Sequence, residues 1–175
     1  MKIKTPEEFV SEALKIGAIE LVPDGRKLKS GRISPYFFNS GLFNSGAHIQ
    51  LLTKAYVGAI IAMDWRLNMH VIFGPAYKGI PIAVAISMIL WQNKNVNVGY
   101  AFNRKEAKDH GEGGIIVGHS IKDKEVLIVD DVITTGGSAG EAVDIVRKNG
   151  GIPTGCVIAF DRQEKGKETD LSAVQ

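Results

Sequence analysis

The sequence predicts an α/β domain built on a central parallel sheet with helices on both faces, and three observations carry that expectation. Short apolar runs alternate with longer segments of helical periodicity along most of the chain. Two of those runs, VLIVD at 126–130 and TGCVIAF at 154–160, are almost uninterruptedly apolar, as strands buried on both faces are. The segments that follow the strands hold glycine, lysine and hydroxyl residues, which suits ligand loops beyond the carboxyl ends of a parallel sheet.

The elements follow in order. TPEEFVSEALKIG at 5–17 predicts an amphipathic helix, with Thr5 as cap, Pro6 in the first turn and Glu8 completing a capping box. Residues 24–39 carry turn chemistry at Ser30-Gly31 and Ser34-Pro35, then an aromatic, strand-like run. Leu52, Ala55, Tyr56, Ala59, Ile60 and Met63 recur at helical spacing and predict a helix from about Ala47 to Met63. A short strand, His70 to Phe73, meets GPAYKG, and a helix starts at Gly79. Its apolar run, Ile80 to Trp91, is shorter than the ~18 residues of a membrane span and reads as a buried helix. Val96 to Phe102 predicts another strand, and 103–114 a charged, glycine-rich loop. After VLIVD, a helix is expected from Ser138, with Ser138 and Glu141 as a second capping box, ending at Lys148-Asn149-Gly150-Gly151. TGCVIAF closes the series as a strand. With no internal repeat, low-complexity tract or linker, the 175 residues read as a single domain.

Bulk composition narrows the function classes. A 45% hydrophobic content supports one sizeable core, and a formal net charge of +2 argues against nucleic acid or an anionic membrane as the main partner. Cys156 is the single cysteine, so no internal disulfide can form, and its setting in CVIAF reads as packing in a reducing compartment. The amphipathic start is not a signal peptide, which predicts a soluble, cytoplasmic protein. His48, His70 and His119 lack metal-ligand spacing, so no protein metal ligand is predicted, and Trp65 and Trp91 read as packing at the edge of the core.

The strongest motif is VLIVDDVITTGGS, Val126 to Ser138. Its strand delivers Asp130 and Asp131 to the sheet edge, where carboxylates can accept hydrogen bonds from sugar hydroxyls or sit near a divalent cation. Thr134, Thr135, Gly136, Gly137 and Ser138 then place hydroxyls and unhindered N–H groups at a helix start, an anion cradle. A sugar with vicinal hydroxyls and a phosphate a few bonds away satisfies both ends. A plain strand-to-helix turn would need neither the two glycines nor the three hydroxyls. Neither G-x-x-x-x-G-K-[ST] nor a strand followed by G-x-G-x-x-G is present, which disfavours P-loop and dinucleotide enzymes.

This motif resembles that of the type I phosphoribosyltransferases, which bind phosphoribosyl pyrophosphate (PRPP). KSGRISPYFFN (29–39), GPAYKG (74–79), FNRKEAKDHGEGG (102–114), the PRPP motif and FDRQ (160–163) are similar, in the same order, to the signatures of the orotate phosphoribosyltransferases. The resemblance implies the type I phosphoribosyltransferase fold, with a core over about 45–160 and a small hood from about 1–40 and the C-terminal end. It implies Mg²⁺-dependent transfer of phosphoribosyl from PRPP to orotate, giving orotidine 5'-phosphate and pyrophosphate in pyrimidine biosynthesis. It also implies a homodimer in which the 103–114 loop closes over the partner's site. Members of the family usually continue with another strand and helix beyond the point where this chain stops, at LSAVQ.

Residue by residue, PRPP would be held by Asp130, Asp131, Val132, Ile133 and the Thr134–Ser138 loop. Lys78 and Tyr77 of GPAYKG suit the pyrophosphate end, although that stretch alone reads equally as a turn with a solvated lysine. Lys29 is a second candidate for the same anion and reads equally as a surface lysine. Arg104, Lys105, Lys108 and His110 lie in a segment that buries little and by itself reads as a solvated hairpin tip; by the resemblance it would act as a lid bringing cations to the leaving pyrophosphate. Phe37 and Phe38 offer a flat apolar surface to a pyrimidine, although ordinary core packing is the plainer reading of an aromatic pair in a strand, and Arg162 can grip a carboxylate bidentately, which orotate has and uracil and the purines lack. By similarity Thr134 joins them at the acceptor. Catalysis is expected from Lys105, Lys108 and His110 at the leaving group and Asp131 near the ribose, where positive charge develops. The rival readings are transfer to another base and a PRPP-sensing, nucleic-acid-binding regulator of the same fold.

Overall fold

The computed structural model describes residues 6–28, 31–63, 69–108, 114–165 and 171–174, with backbone alone at 107 and 108. Helix α1 (Pro6–Lys15) buries Phe9 and Ala13 and leads into a hairpin of β1 (Ile19–Lys27) and β2 (Ile33–Phe38). β1 is absent from the sequence expectation, which placed only turns and one strand between 24 and 39. Pro23, Asp24 and Gly25 mask it. They fall in a register break between Leu21 and Arg26, where Gly25 adopts φ 75°. Ser34-Pro35 is therefore part of β2 and not a turn. Pro35 lies opposite the break, where its missing N–H costs no ladder bond.

Helix α2 (Gly46–Ala62) is capped by Ser45, whose side chain accepts from His48 N–H. There follow β3 (Val71–Phe73), α3 (Gly79–Lys94), β4 (Gly99–Lys108), β5 (Gly114–Gly118), β6 (Glu125–Ile133), α4 (Gly137–Lys148) and β7 (Ile152–Asp161). Strands β3 to β7 form a sheet in the order β5-β4-β3-β6-β7. Four of them are parallel, but β5 pairs antiparallel with β4, so the sheet is mixed where a parallel one was expected. The stretch Asn103–Lys108 has no apolar period and reads as a loop. Backbone pairing with β5 makes it a ribbon, and an antiparallel edge strand needs no second buried face.

Alternation along β6 sorts the two layers. Leu127 and Val129 join Ile72 and the buried sides of α2 and α3, while Val126 and Ile128 join Val71, Phe73 and α4 through Ala142 and Val146. All three β3 residues are completely buried. The Ile80–Trp91 run is helical as expected, but Trp91 itself is 55% exposed and lies in the last turns of the helix, outside the buried cluster.

α4 starts one residue before the predicted Ser138, and the Ser138–Glu141 capping box is not formed. The N-cap is Gly136, at φ 83°, and no side chain caps the helix. Glycine's tolerance of that left-handed conformation turns the chain into the helix early and leaves Ser138 inside the first turn.

Candidate active site

The carboxyl ends of β3, β4 and β6 meet the end of β2, and each contributes a different chemistry. The loop after β3 closes on itself. A Cβ at Gly74 would fall 2.0 Å from the Gly79 carbonyl oxygen, and Gly79 N–H donates to the Pro75 carbonyl at 3.1 Å. This tight ring presents Tyr77, 66% exposed, and sets Lys78 at the start of α3. Lys105 on β4 holds its ammonium 4.9 Å from the centre of the Tyr77 ring, so Lys105 and the loop are neighbours.

Across from Lys78, the turn Ser40–Leu42 follows β2 and is capped by Asn39, whose Oδ1 accepts from Gly41 N–H at 3.0 Å. Gly41 lets the lysine come close, since a Cβ there would stand 3.3 Å from Lys78 Nζ. The Ser40 hydroxyl donates to Asp131 Oδ2. Together Ser40, Gly41, Lys78 and Asp131 line one side of a cavity of about 370 Å³ floored by Ile49, Leu52 and Ile82.

The acidic pair lies inside β6, which continues to Ile133, and its two members have different surroundings. Asp131 reaches the cavity, whereas Asp130 Oδ1 accepts from Asp131 N–H at 3.0 Å. Burial pushes the Asp130 carboxyl up from the ordinary 3.8 to about 6, the charge of Asp131 adds to the rise, and that backbone hydrogen bond opposes it. Tyr56 of α2 donates its hydroxyl to the Asp130 carbonyl oxygen at 2.6 Å, and burial raises its phenol well above the ordinary range. Burial also pushes the Cys156 thiol up to about 11, which suits packing and not nucleophilic chemistry.

Val132 and Ile133 end β6, Thr134, Thr135 and Gly136 are half-buried, and Gly137 and Ser138 are exposed. The N-cap glycine offers no side chain to the first N–H groups of α4, which have no intrahelical acceptor. That is the arrangement anions favour at helix starts.

Phe37 and Phe38 do not form one surface, because consecutive strand residues face opposite ways. Phe38, 3% exposed, stacks on Phe160 with ring centres 4.9 Å apart. Phe37 is half-buried beside two guanidinium groups, Arg26 at 4.3 Å and Arg162 at 5.4 Å from the ring centre. Arg162 is pinned through its backbone. Its N–H donates to the Ile133 carbonyl at 3.0 Å, and its carbonyl accepts from Arg32 Nη2 and the Tyr36 hydroxyl, each at 3.2 Å. Arg104 is turned to its own hairpin, donating to the Gly114 carbonyl at 3.2 Å. Lys29, His110 and the side chain of Lys108 lie outside the described residues.

Comparison with known proteins bears directly on this geometry. Residues 51–175 match the phosphoribosyl transferase domain family. The orotate phosphoribosyltransferase of Acinetobacter baumannii is 47% identical over 170 residues, spanning 97% of this chain and 76% of that protein. That of Marinobacter nauticus is 56% identical over 148 residues, 85% of this chain and 68% of that one. The chain belongs to the orotate phosphoribosyltransferase family. A crystal structure of the Francisella tularensis orotate phosphoribosyltransferase superposes with a TM-score of 0.81 at 42% identity, covering 94% of this chain and 76% of the other.

In this orotate phosphoribosyltransferase family member, sequence reasoning missed three residues of the same region: Ser40, Tyr56 and Asn103. Ser40 sits in an Asn-Ser-Gly turn that signals only a bend. Tyr56 carries the helical period and so reads as core, which conceals the role of its hydroxyl. Asn103 is 9% exposed, a buried polar residue in a run that looks solvated. The available signal was a lone amide at a strand position in register with the apolar Ala101.

Proposed function

We propose that this chain transfers the phosphoribosyl group of PRPP to orotate, releasing pyrophosphate and forming orotidine 5'-phosphate. The observation that carries the reading is the placement of Arg162 beside Phe37, at the same end of the molecule as Asp131 and Lys78. A carboxylate-binding cation next to an aromatic face suits orotate, and an acid with a neighbouring ammonium suits a phosphorylated sugar and its anionic leaving group.

In this reading the Thr134–Ser138 loop and the uncapped start of α4 hold the 5'-phosphate, and Asp130 and Asp131 face the ribose hydroxyls. Lys78, Tyr77 and Lys29 hold the pyrophosphate. Phe37, Phe38, Thr134 and Arg162 frame the acceptor, with Phe38 acting through its backbone since its ring is in the core. As the bond from C1' to the pyrophosphate oxygen lengthens, Asp131 favours the positive charge that grows on the sugar, and Lys78, Lys105, Lys108 and His110 stabilise the negative charge on the departing pyrophosphate. The protein forms no covalent bond to substrate; positioning supplies the remainder.

The donors at this end of the sheet include the Asp130 and Asp131 carboxylates and the Ser40 hydroxyl, an oxygen set that suits a hard cation such as Mg²⁺. Bound chiefly through substrate oxygens and waters, with these two aspartates at hand, Mg²⁺ would supply charge neutralisation at the diphosphate. The hairpin of β1 and β2, with the C-terminal end, serves as the hood over the core, and in a homodimer Arg104, Lys108 and His110 reach the partner's site while Lys105 stays beside Tyr77 of its own chain. A cytoplasmic setting fits a pyrimidine-pathway enzyme.

Pyrophosphate release from PRPP and Mg²⁺ tests the proposal with orotate, uracil, adenine and hypoxanthine as acceptors. Release with orotate alone is expected. Preference for another base would reassign the acceptor, and nucleic-acid binding without release would favour a regulator.

A further inference from the structure

A buried amide joins the loop after β3 to the ribbon that carries the lid. The parallel ladder between β3 and β4 ends where Gly74 N–H donates to the Ala101 carbonyl at 3.0 Å. A regular ladder would next join Ala76 N–H to the backbone carbonyl two residues along β4, at Asn103. Instead the Asn103 side chain takes that place. Its Oδ1 accepts from Ala76 N–H at 3.0 Å, and its Nδ2 donates to the Arg104 carbonyl at 3.2 Å. Two residues further, Lys105 lies over the Tyr77 ring. Ala101, Asn103 and Lys105 thus contact the 74–77 stretch at successive alternate positions of one strand, with the amide in the middle.

We propose that Asn103 is a positioning residue for the reaction, a clamp that fixes the distance between the Tyr77-Lys78 loop and Lys105 so that both cations converge on the leaving pyrophosphate. The inference rests on the reading of this site as a PRPP site. Its physical basis is the cost of disorder. The loop turns away from β4 after Gly74, and without the side-chain bond Ala76 N–H would lose its partner in a half-buried place. Asparagine is suited to the position because one planar group offers an acceptor to the loop and a donor to the lid strand.

A double-mutant cycle in the full chain tests this, using Asn103→Leu, Lys105→Ala and the pair, with kcat and KM for PRPP and for orotate measured for each. Asn103→Leu keeps the volume and removes both hydrogen bonds. A clamp predicts that Asn103→Leu lowers kcat about tenfold or more with the orotate KM near the parental value. It also predicts that Lys105→Ala then costs much less than it does alone, because the ammonium is already misplaced. Asn103→Asp, which keeps the acceptor for Ala76 and loses the donor to Arg104, should lie between the parent and the leucine variant and replaces it in the cycle if Asn103→Leu does not fold. Additive effects of Asn103 and Lys105, or parental kcat in the folded Asn103 variant, would overturn the clamp. A parent chain that releases no pyrophosphate with any base would instead remove the phosphoribosyl transfer reading, so the two failures are distinct.

Discussion

The Arg162 guanidinium lies 5.4 Å from the centre of the Phe37 ring, while the Arg162 backbone is held at both its N–H and its carbonyl. A pinned backbone with a half-buried cation beside an aromatic face is pre-organised for a planar carboxylate. Arg162→Ala should raise the KM for orotate by about 10- to 100-fold with a small effect on that for PRPP. Steady-state kinetics with each substrate varied in turn will check it, and an equal rise in both values would place Arg162 elsewhere in the mechanism.

Burial raises the Asp130 carboxyl, and the sign of its effect on stability follows. With its carboxyl raised from 3.8 to about 6, the folded protein favours the protonated form. That contribution is complete below about pH 4 and is lost as pH rises through 6, so the ionised carboxylate disfavours the fold at pH 8. Asp130→Asn, which keeps an acceptor for Asp131 N–H, should melt higher than the parent at pH 8 and equal to it near pH 4. Paired thermal melts across that range decide the matter; a constant difference would mean that Asp130 is not the titrating group.

In the proposed reaction Lys108 would bear on turnover and not on folding, because cations at that place are useful only while charge develops on pyrophosphate. Lys108→Ala should lower kcat by about 10²–10³ and leave the melting temperature unchanged. An unchanged rate at saturating PRPP would remove the lid from the chemistry.

Gly74→Ala tests the closed loop. The added Cβ would stand 2.0 Å from the Gly79 carbonyl oxygen, a backbone atom that cannot move without opening the ring. A loss of about 1–3 kcal/mol or more in unfolding free energy is expected, with a higher KM for PRPP. Denaturant unfolding and kinetics on the same preparation measure both, and parental stability would show that the loop is looser than this geometry requires.

Much of this molecule was legible in one dimension where packing and local chemistry agree. The apolar β3 and β6, the helical period of α2 and the glycine-hydroxyl loop after Asp131 each announce themselves, because burial on both faces and anion binding restrict residue type strongly. β1 and β5 did not, since a hairpin held by backbone ladders needs no apolar face and tolerates Pro, Asp and Gly at its bulge.

By itself, then, the sequence determined the layered α/β architecture and the cast of chemical groups at the carboxyl ends of the strands. Tertiary structure decided which of them meet: that Asp131 finds Ser40 from 91 residues away, that Phe38 turns to the core while Phe37 turns to Arg162, and that Asn103 joins loop to lid. The reason is physical. Local pattern reports which face of an element is buried, but a hydrogen bond between distant elements depends on strand register and on the one-residue alternation of side chains, neither of which is written in either segment alone.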